Sequence, residues 1–596
     1  MNMEPYSDRL ESLRAQMAEQ QLDALLVPRA DEYLGEYLPA YNERMAWLSG
    51  FSGSAGAVVV LRESAAIFVD GRYTLQVRQQ VSQQLFSIHS LIDEPPLQWL
   101  KAQLSPGQKV GYDPRMHTQA WALQAQSALA RSEQELVALE RNLIDTCWQD
   151  RPVPQSQPAM LLEEMYTGQA SADKRAQIGS AIRAAGADVA YIFAADSCAW
   201  LLNIRGRDIP CLPLVLGSGL LYANGEMQFF CDPDKIPAGF AEHVGTGVEV
   251  FEEASLAQVF ASLSGKVVLH DAQAANAWSR QQLEKSGARV LVGTDPVELP
   301  KACKNPVQVQ GMRDCHIRDA VAEVQFLAWL DAEVAAGRLH DEAQLSDQLF
   351  GYRAAQDLFQ ETSFDTISAA AGNAAMAHYN HLNGEPSRLG MDSVYLVDSG
   401  GQYLDGTTDI TRTVAIGKPA AEVRRSFTLV LKGCIALAQA RFPAGTSGAS
   451  LDILARQFLW QQGLDYEHGT GHGVGSFLSV HEGPQRIGKG ASDVALRPGM
   501  VVSDEPGYYK SEEYGMRCEN LLVVIEVGEM VDSGKQLLAF ETLTLVPFDR
   551  RLLDRDLLTG AELTWLNEYH SRVCSVLSPR LDGDDLTWLE RTTRPL

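Results

Sequence analysis

The stretch YLVDSGGQYLDGTTDITRTV, residues 395–414, carries Asp398 and Asp409 between two runs that read as strands. Its flanks, YLV and ITRTV, are rich in aromatic and β-branched residues, and its middle is rich in glycine. That pattern predicts an antiparallel hairpin that can bring the two carboxylates together. The register stays open at this level, and Asp405-Gly406 reads as turn chemistry alone. Further along, His468 and His472 occur in EHGTGHGVG, His481 in VHEGP, Glu505 in SDEPGYY, and Arg517 and Glu519 in RCEN. Upstream, His378 lies in MAHYNH. Five of the twelve histidines fall between His378 and His481, which singles out this part of the chain.

Two aspartates, one histidine and two glutamates form a hard donor set with no thiolate. Such a set suits two divalent ions of the manganese or magnesium type better than a structural zinc. Four crowded carboxylates repel one another, and two cations sharing bridging ligands would relieve that repulsion and activate a water. Other readings of these motifs fail. GTGHGVG lacks the Lys-Ser/Thr of a phosphate-binding loop and the spacing of a dinucleotide fingerprint. No GxSxG elbow points to a serine hydrolase.

The rest of the chain reads as two related α/β segments ahead of this region. The first opens on a helix, SDRLESLRAQMAEQQL, with Ser7 as the expected N-cap, and continues through DALLVP, MAWLSGF and AVVVLRESAAIFVDGRY, all read as strands. RPVPQSQP (151–158) reads as a linker. The second segment repeats the plan: a helix ending at Gly186, then DVAYIF, AWLLNIRG and LPLVLGSGLLYANGEMQFF. Asn305-Pro306 predicts the start of a long helix through HIRDAVAEVQFLAWLDAEVAA. A second is expected at AAEVRRSFTLVLKGCIALAQA, strands at GMVVSDEPGYY and ENLLVVIEVGE, and helical spacing after Pro547 (Leu563, Leu566, His570, Val573).

Composition narrows the function classes. The chain has 596 residues, 45% apolar and 21% charged, enough for several packed domains. A net charge of −26 opposes nucleic acid and anionic lipid as partners. No apolar run approaches the roughly 18 residues of a membrane span, and the N-terminus does not read as a secretory signal. Nine scattered cysteines without a CxxC pair predict reduced thiols and a cytoplasmic location.

On MAHYNH, LVDSG, TTDITRT, GTGHGVG, VHEGP, DEPGYY and RCEN, the C-terminal region resembles the "pita-bread" metallopeptidases, which include methionine aminopeptidases, prolidases and Xaa-Pro aminopeptidases. DEYLGEYLPAYNERMAWLSGFSGSAG (31–56) and VDGRY (69–73) extend the resemblance to the three-domain, cytosolic type of aminopeptidase P. It implies a creatinase-like α/β domain at 1–152, a second at 153–304 related by duplication, and an α+β pita-bread catalytic domain with a helical tail at 305–596. It implies that Asp398 and Asp409 hold one metal, that Asp409 bridges to a second completed by His472 and Glu505, and that Glu519 bridges both. Two Mn²⁺ ions are the expected cofactors. His378 and His481 would orient the scissile carbonyl and stabilise the tetrahedral intermediate, so the catalytic group is His378, His481, Glu505 and Glu519. His468 and Arg517 would shape the proline pocket, with Tyr509 near the metals and Arg44 reaching the site from a neighbouring subunit. The implied reaction removes the N-terminal residue from peptides with proline second, through attack of a hydroxide bridging the metals, in a homodimer. Cys518, between Arg517 and Glu519, stands where the family often has an aliphatic residue, and is expected to point away from the site.

Three rivals share the fold: a prolidase restricted to dipeptides, a metal-free creatinase-like amidinohydrolase, and a non-enzymatic peptide-binding module. Retention of all five ligands argues against the last two, and the two full N-terminal domains favour the aminopeptidase over the prolidase.

Overall fold

The computed structural model describes residues 4–154, 156–490 and 494–596. The chain divides into two compact units. The first comprises Met1–Leu161, Gln169–Pro210 and Leu214–Val297, and the second Leu162–Gly168, Cys211–Pro213 and Glu298–Leu596.

The first unit contains two six-stranded sheets of the same topology. In one, Ala24–Pro28 pairs antiparallel with Ala57–Leu61 and parallel with Lys109–Tyr112. Ala65–Val69 and Ser87–Ser90 extend one side, and Glu135–Ala138 closes the other. In the second sheet, Val189–Ile192 takes the central place, with Ser218–Tyr222, Met227–Phe230 and Val248–Phe251 on one side. Val267–His270 and Arg289–Val292 lie on the other, with every pair in the same sense as its counterpart. The shared order is the structural form of the internal duplication. Alternation along the strands feeds two cores: Leu25, Val27, Val58, Val60 and Ile67 pack on one face of the first sheet, and Ala24, Leu26, Val59, Ala66 and Phe68 on the other. Burial on both faces explains why these strands read as continuous apolar runs.

Two local expectations are corrected. MAWLSGF is not a strand: Arg44–Ser49 is a helix, ended by Gly50 at φ 80°. The first half of its counterpart, Ala199–Leu202, falls in the helix Ala195–Leu202, and Ile204–Arg205 beyond it is a short strand. Met45 and Leu48, three residues apart, both face the core, a spacing that a short apolar run does not distinguish from a strand by periodicity. Ser7 is not an N-cap, because the first helix already runs from Glu4 to Glu19. Of the expected linker, residues 151–154 and 156–158 are irregular, and Gln155 lies outside the described residues.

The second unit opens on the helix Pro306–Ala335. The Asn305 side chain accepts from the Gln308 N–H at 3.0 Å, and the Gln308 side chain accepts from the Asn305 N–H at 3.3 Å. This reciprocal cap satisfies two donors at the helix start, and Pro306 removes a third. A three-stranded antiparallel sheet follows, with Ser393–Ser399 between Ile367–Ala370 and Ile410–Ile416. A six-stranded sheet runs in the order Arg441–Pro443, Gln536–Thr542, Asn520–Glu529, Val501–Asp504, Gly471–Gly473, Glu482–Ile487. Gly507–Lys510 and Tyr514–Arg517 form a separate hairpin. The helix Ala421–Ala438 is buried on all sides from Ser426 to Ile435, and Gly560–Leu577 covers the same core through Leu566, Val573 and Leu577. No helix of the described residues is long and apolar enough to cross a membrane.

Candidate metal centre

The hairpin predicted at 395–414 forms, with a smaller hairpin (Gly401–Tyr403 with Gly406–Thr407) inserted at its end. Its register pairs Asp398 with Thr411 and Ser399 with Ile410. Asp409 therefore lies one residue beyond the ladder. Residues two apart share a face, and direct cross-strand partners share a face, so Asp398, Thr411 and Asp409 project to the same side.

His472 arrives from the strand Gly471–Gly473, where the glycines are needed for close packing. A Cβ on Gly471 would stand 2.0 Å from the Ser503 carbonyl oxygen, and one on Gly473 2.2 Å from that of Glu482. The glycine-rich motif thus serves strand approach. The His472 Nδ1 donates to the Gly473 carbonyl at 3.0 Å, which leaves Nε2 aimed at Asp409 Oδ2, 3.4 Å away, and Glu505 Oε1, 3.6 Å away. Ligand atoms of Asp409, His472 and Glu519 all lie within 4.8 Å of one another.

Arg517 organises the opposite wall. Its side chain is buried, Nη2 pairs with Asp398 Oδ2, Nε donates to Thr411 Oγ1 at 2.9 Å, and Nη1 donates to Tyr509 Oη at 2.6 Å. Thr411 passes the polarity on by donating to Glu519 Oε2 at 2.7 Å. Tyr509 Oη in turn lies 2.9 Å from His468 Nε2, while His468 Nδ1 lies 2.7 Å from the Gly469 carbonyl. That pattern suits a neutral His468 accepting from the tyrosine. Burial pushes its pKa down to about 4, which agrees with the neutral form.

The acids repel one another. Burial, with the nearby charges of Asp409 and Glu505, raises the Asp398 carboxyl to about 6 despite Arg517. Burial, with Asp409, Asp398 and Glu505, drives Glu519 well above the usual carboxylate range. Burial opposes the charged forms of Glu505 and His472 too, but partners outweigh it in both. His472, the first of its charged neighbours, and Arg517 hold Glu505 low, and Asp409 with Glu505 lifts His472 to about 9. Asp398 Oδ1 and Glu519 Oε1 are buried without a hydrogen-bond partner. Unpaired buried carboxylate oxygens are costly, and divalent cations are the groups that would satisfy them here. The donor set fits such ions.

The other expected residues fall as follows. His481 sits edge-on to His472, with ring centroids 4.4 Å apart. His378 is partly buried in the segment after Ala371–Ala375, next to Ala377, whose carbonyl faces Arg517 Nη1 at 3.4 Å. Arg44 is engaged within its own unit. It is 1% exposed, with Nε and Nη2 donating to Asp145 and Nη2 also to Glu32, an internal ion pair of the first unit. Cys518 lies in a two-residue link between strands, not in a strand, and packs into the apolar core near Cys434. Two residues escaped the sequence reading. Thr411 joins Arg517 to Glu519. Ser503 accepts from the His472 N–H at 2.9 Å and donates to Glu505 Oε1 at 3.2 Å. The only signal was position: each lies two residues from an acid on a strand or beside one.

Proton linkage gives a first prediction. The shifts of His472 and Asp398 both mean that the folded, cation-free site holds protons more tightly than the unfolded chain. Stability from His472 is present below its ordinary value of 6.5 and lost as pH rises through about 9. That from Asp398 is present below 3.8 and lost as pH rises through about 6. Cations bind the deprotonated ligands. Added Mn²⁺ is therefore expected to raise the melting temperature of the stripped protein more at about pH 8.5 than at about pH 6. A gain independent of pH would count against ligation by these groups.

Residues 310–526 match metallopeptidase family M24, and 536–596 match the C-terminal region of peptidase M24. The creatinase/prolidase N-terminal domain matches twice, at 9–147 and 150–308. The chain is 39% identical over 623 residues to a probable Xaa-Pro aminopeptidase P of Tuber melanosporum, covering 99% of both. It is 39% identical to a protein of the same description from Neurospora crassa, over 99% of this chain and 89% of that one. Among solved structures, the X-prolyl aminopeptidase of Caenorhabditis elegans, described as a cytosolic enzyme with a di-nuclear active site, superposes with a TM-score of 0.94 at 34% identity, covering 99% of this chain and 100% of that one. With its duplicated N-terminal fold, its clustered acids and histidines and these full-length matches, the chain belongs to metallopeptidase family M24, among the Xaa-Pro aminopeptidase P proteins.

Proposed function

We infer that this chain is an Xaa-Pro aminopeptidase, releasing the N-terminal residue from peptides whose second residue is proline. The observation that carries the reading is the buried meeting of Asp409, His472 and Glu519 beside Asp398 and Glu505, with two carboxylate oxygens left unpaired. We propose that Asp398 and Asp409 would hold one divalent ion, that His472 and Glu505 with Asp409 would hold the other, and that Glu519 would serve both. Mn²⁺ is the proposed ion, because four carboxylates and one imidazole without a thiolate form a hard site. Bound there, the pair supplies Lewis acidity and lowers the pKa of a water.

The remaining work falls to the chain's own groups. Glu505, held ionised by His472 and Arg517 and steadied by Ser503, takes the proton of the attacking water. His378 and His481 orient the scissile carbonyl and donate to the oxygen that becomes negative in the tetrahedral intermediate. Arg517 fixes Asp398 and, through Thr411, Glu519. His468 and Tyr509 shape the proline pocket. An imide nitrogen has no N–H and its ring fixes φ, so a neutral, shaped wall selects it. Domain boundaries near 152 and 304, a cytoplasmic location and a homodimer complete the proposal. Light scattering at micromolar concentration is expected to give twice the 65.3 kDa chain mass, and a monomer would refute the dimer.

The direct test is mass spectrometry of Mn²⁺-loaded protein with Gly-Pro and with Arg-Pro-Pro-Gly-Phe. Loss of only the first arginine from the longer peptide is the expected result. Cleavage of the dipeptide alone would reassign the chain as a prolidase. Cleavage of neither, with two metals bound, would refute the peptidase reading.

A further inference from the structure

The second unit holds a cavity of about 490 Å³ that is separate from the metal centre in its lining. It lies among the helix Pro306–Ala335, the strand Ile410–Ile416, residues 547–555 and the helix Gly583–Thr592. Its size falls in the usual range for small-molecule sites, about 300–1,000 Å³. The floor is apolar: Leu327, Leu330, Val414, Phe548 and Trp588 line it. Four arginines, Arg550, Arg551, Arg555 and Arg591, also line it, against two acidic side chains, Asp331 and Asp549, and the terminal residue Leu596.

Both carboxylates are already committed. Arg551 pairs with Asp549 at 2.7 Å and with Asp331 at 2.9 Å. Asp331 also meets Arg591 at 3.3 Å and accepts from Trp588 Nε1 at 2.8 Å. Asp549 Oδ2 accepts from the Ala415 N–H at 2.8 Å. Arg550 is served differently. It reaches only the carbonyls of Arg591 and Pro595, at 3.4 and 3.2 Å, and its buried Nε has no partner. Burial, together with Arg555 and Arg594, lowers its hold on its proton. The guanidinium groups here overlie an apolar floor.

We propose that this cavity binds a small organic anion with an apolar body, its carboxylate or phosphate head received by Arg550 and Arg555 and its body lying on Leu330, Val414 and Trp588. A guanidinium fork matches either head group, and the floor accounts for the body. The site is independent of peptide hydrolysis. The metal centre also attracts carboxylates, so the test must separate the two sites.

Calorimetric titration of the Mn²⁺-loaded full chain with decanoate, decyl phosphate, decanol and inorganic phosphate does so. The expected result is one-to-one binding of at least one alkyl anion, with decanol and inorganic phosphate at least tenfold weaker. Arg550→Gln with Arg555→Gln should weaken the alkyl anion at least tenfold while the rate of Arg-Pro-Pro-Gly-Phe cleavage stays unchanged. Arg555→Gln alone, at an exposed position, repeats the test if the double variant does not fold, and there a threefold or larger loss is expected. Binding unchanged in the variants would assign the anion to the metal centre and overturn the proposal. So would decanol binding as tightly as decanoate, inorganic phosphate as tightly as decyl phosphate, or no binding of either alkyl anion. Tighter binding of one alkyl anion than the other identifies the head group.

Discussion

His472→Ala and Glu505→Ala are each expected to lower kcat/KM on a proline-second peptide by about 10³-fold or more, with the fold retained. The size follows from the several kcal/mol that a correctly held metal pair gives to a hydrolytic transition state, at about 1.4 kcal/mol per tenfold. His472 offers its Nε2 lone pair between Asp409 and Glu505, because Nδ1 is already engaged with the Gly473 carbonyl. Alanine removes that donor and leaves two facing carboxylates with one fewer positive partner. Glu505→Ala removes both a proposed ligand and the proposed proton acceptor. Neither side chain is part of the apolar core, so the circular dichroism of the cation-free variants should stay close to that of the parent, while cation-free His472→Ala should melt lower than the parent below about pH 9, where the parent's His472 carries its extra proton. Activity of the parent should vanish with chelator and return with Mn²⁺. Near-normal turnover by either variant, or by fully stripped parent, would refute the dinuclear assignment.

Arg517→Ala should damage stability as well as rate. Its guanidinium is 3% exposed and serves three side-chain acceptors on three segments, Asp398, Thr411 and Tyr509, besides the Ala377 carbonyl. Removing one partner of a buried ion pair costs about 3–5 kcal/mol, because the other charge is left uncompensated. Here that charge is Asp398, already raised to about 6 by burial and its acidic neighbours. The variant should melt clearly lower than the parent, and the deficit should shrink when Mn²⁺ supplies the missing positive charge. Arg517→Lys should not restore activity, because a single ammonium cannot reproduce a planar fork with donors in three directions. Calorimetry with and without Mn²⁺, alongside kcat/KM, checks both parts. An alanine variant with unchanged melting temperature and rate would remove Arg517 from the organising role.

Much was legible before any coordinates. The motif order supplied the family resemblance. The apolar runs DALLVP and AVVVL supplied the central strands, and Asn305-Pro306 the start of the long helix. These are local signals, set by periodicity, β-branching and helix-end chemistry within a few residues. The helix at Arg44–Ser49 was missed because a short apolar run satisfies both periods, and packing of Met45 and Leu48 on the core chose between them.

By itself, then, the sequence determined which residue types were available to ligate and the order in which they came. The tertiary structure decided what each one meets. The pairing of Asp398 with Thr411 is a matter of register, which strand composition leaves free and which sheet packing settles. Arg517 stands 119 residues from Asp398 in the chain, and Thr411 stands 108 from Glu519. The same holds for Arg44, whose charge is spent inside its own unit on an aspartate 101 residues away. No local spacing encodes a contact of that range; it exists only once separate elements have packed and a buried charge must find its partner.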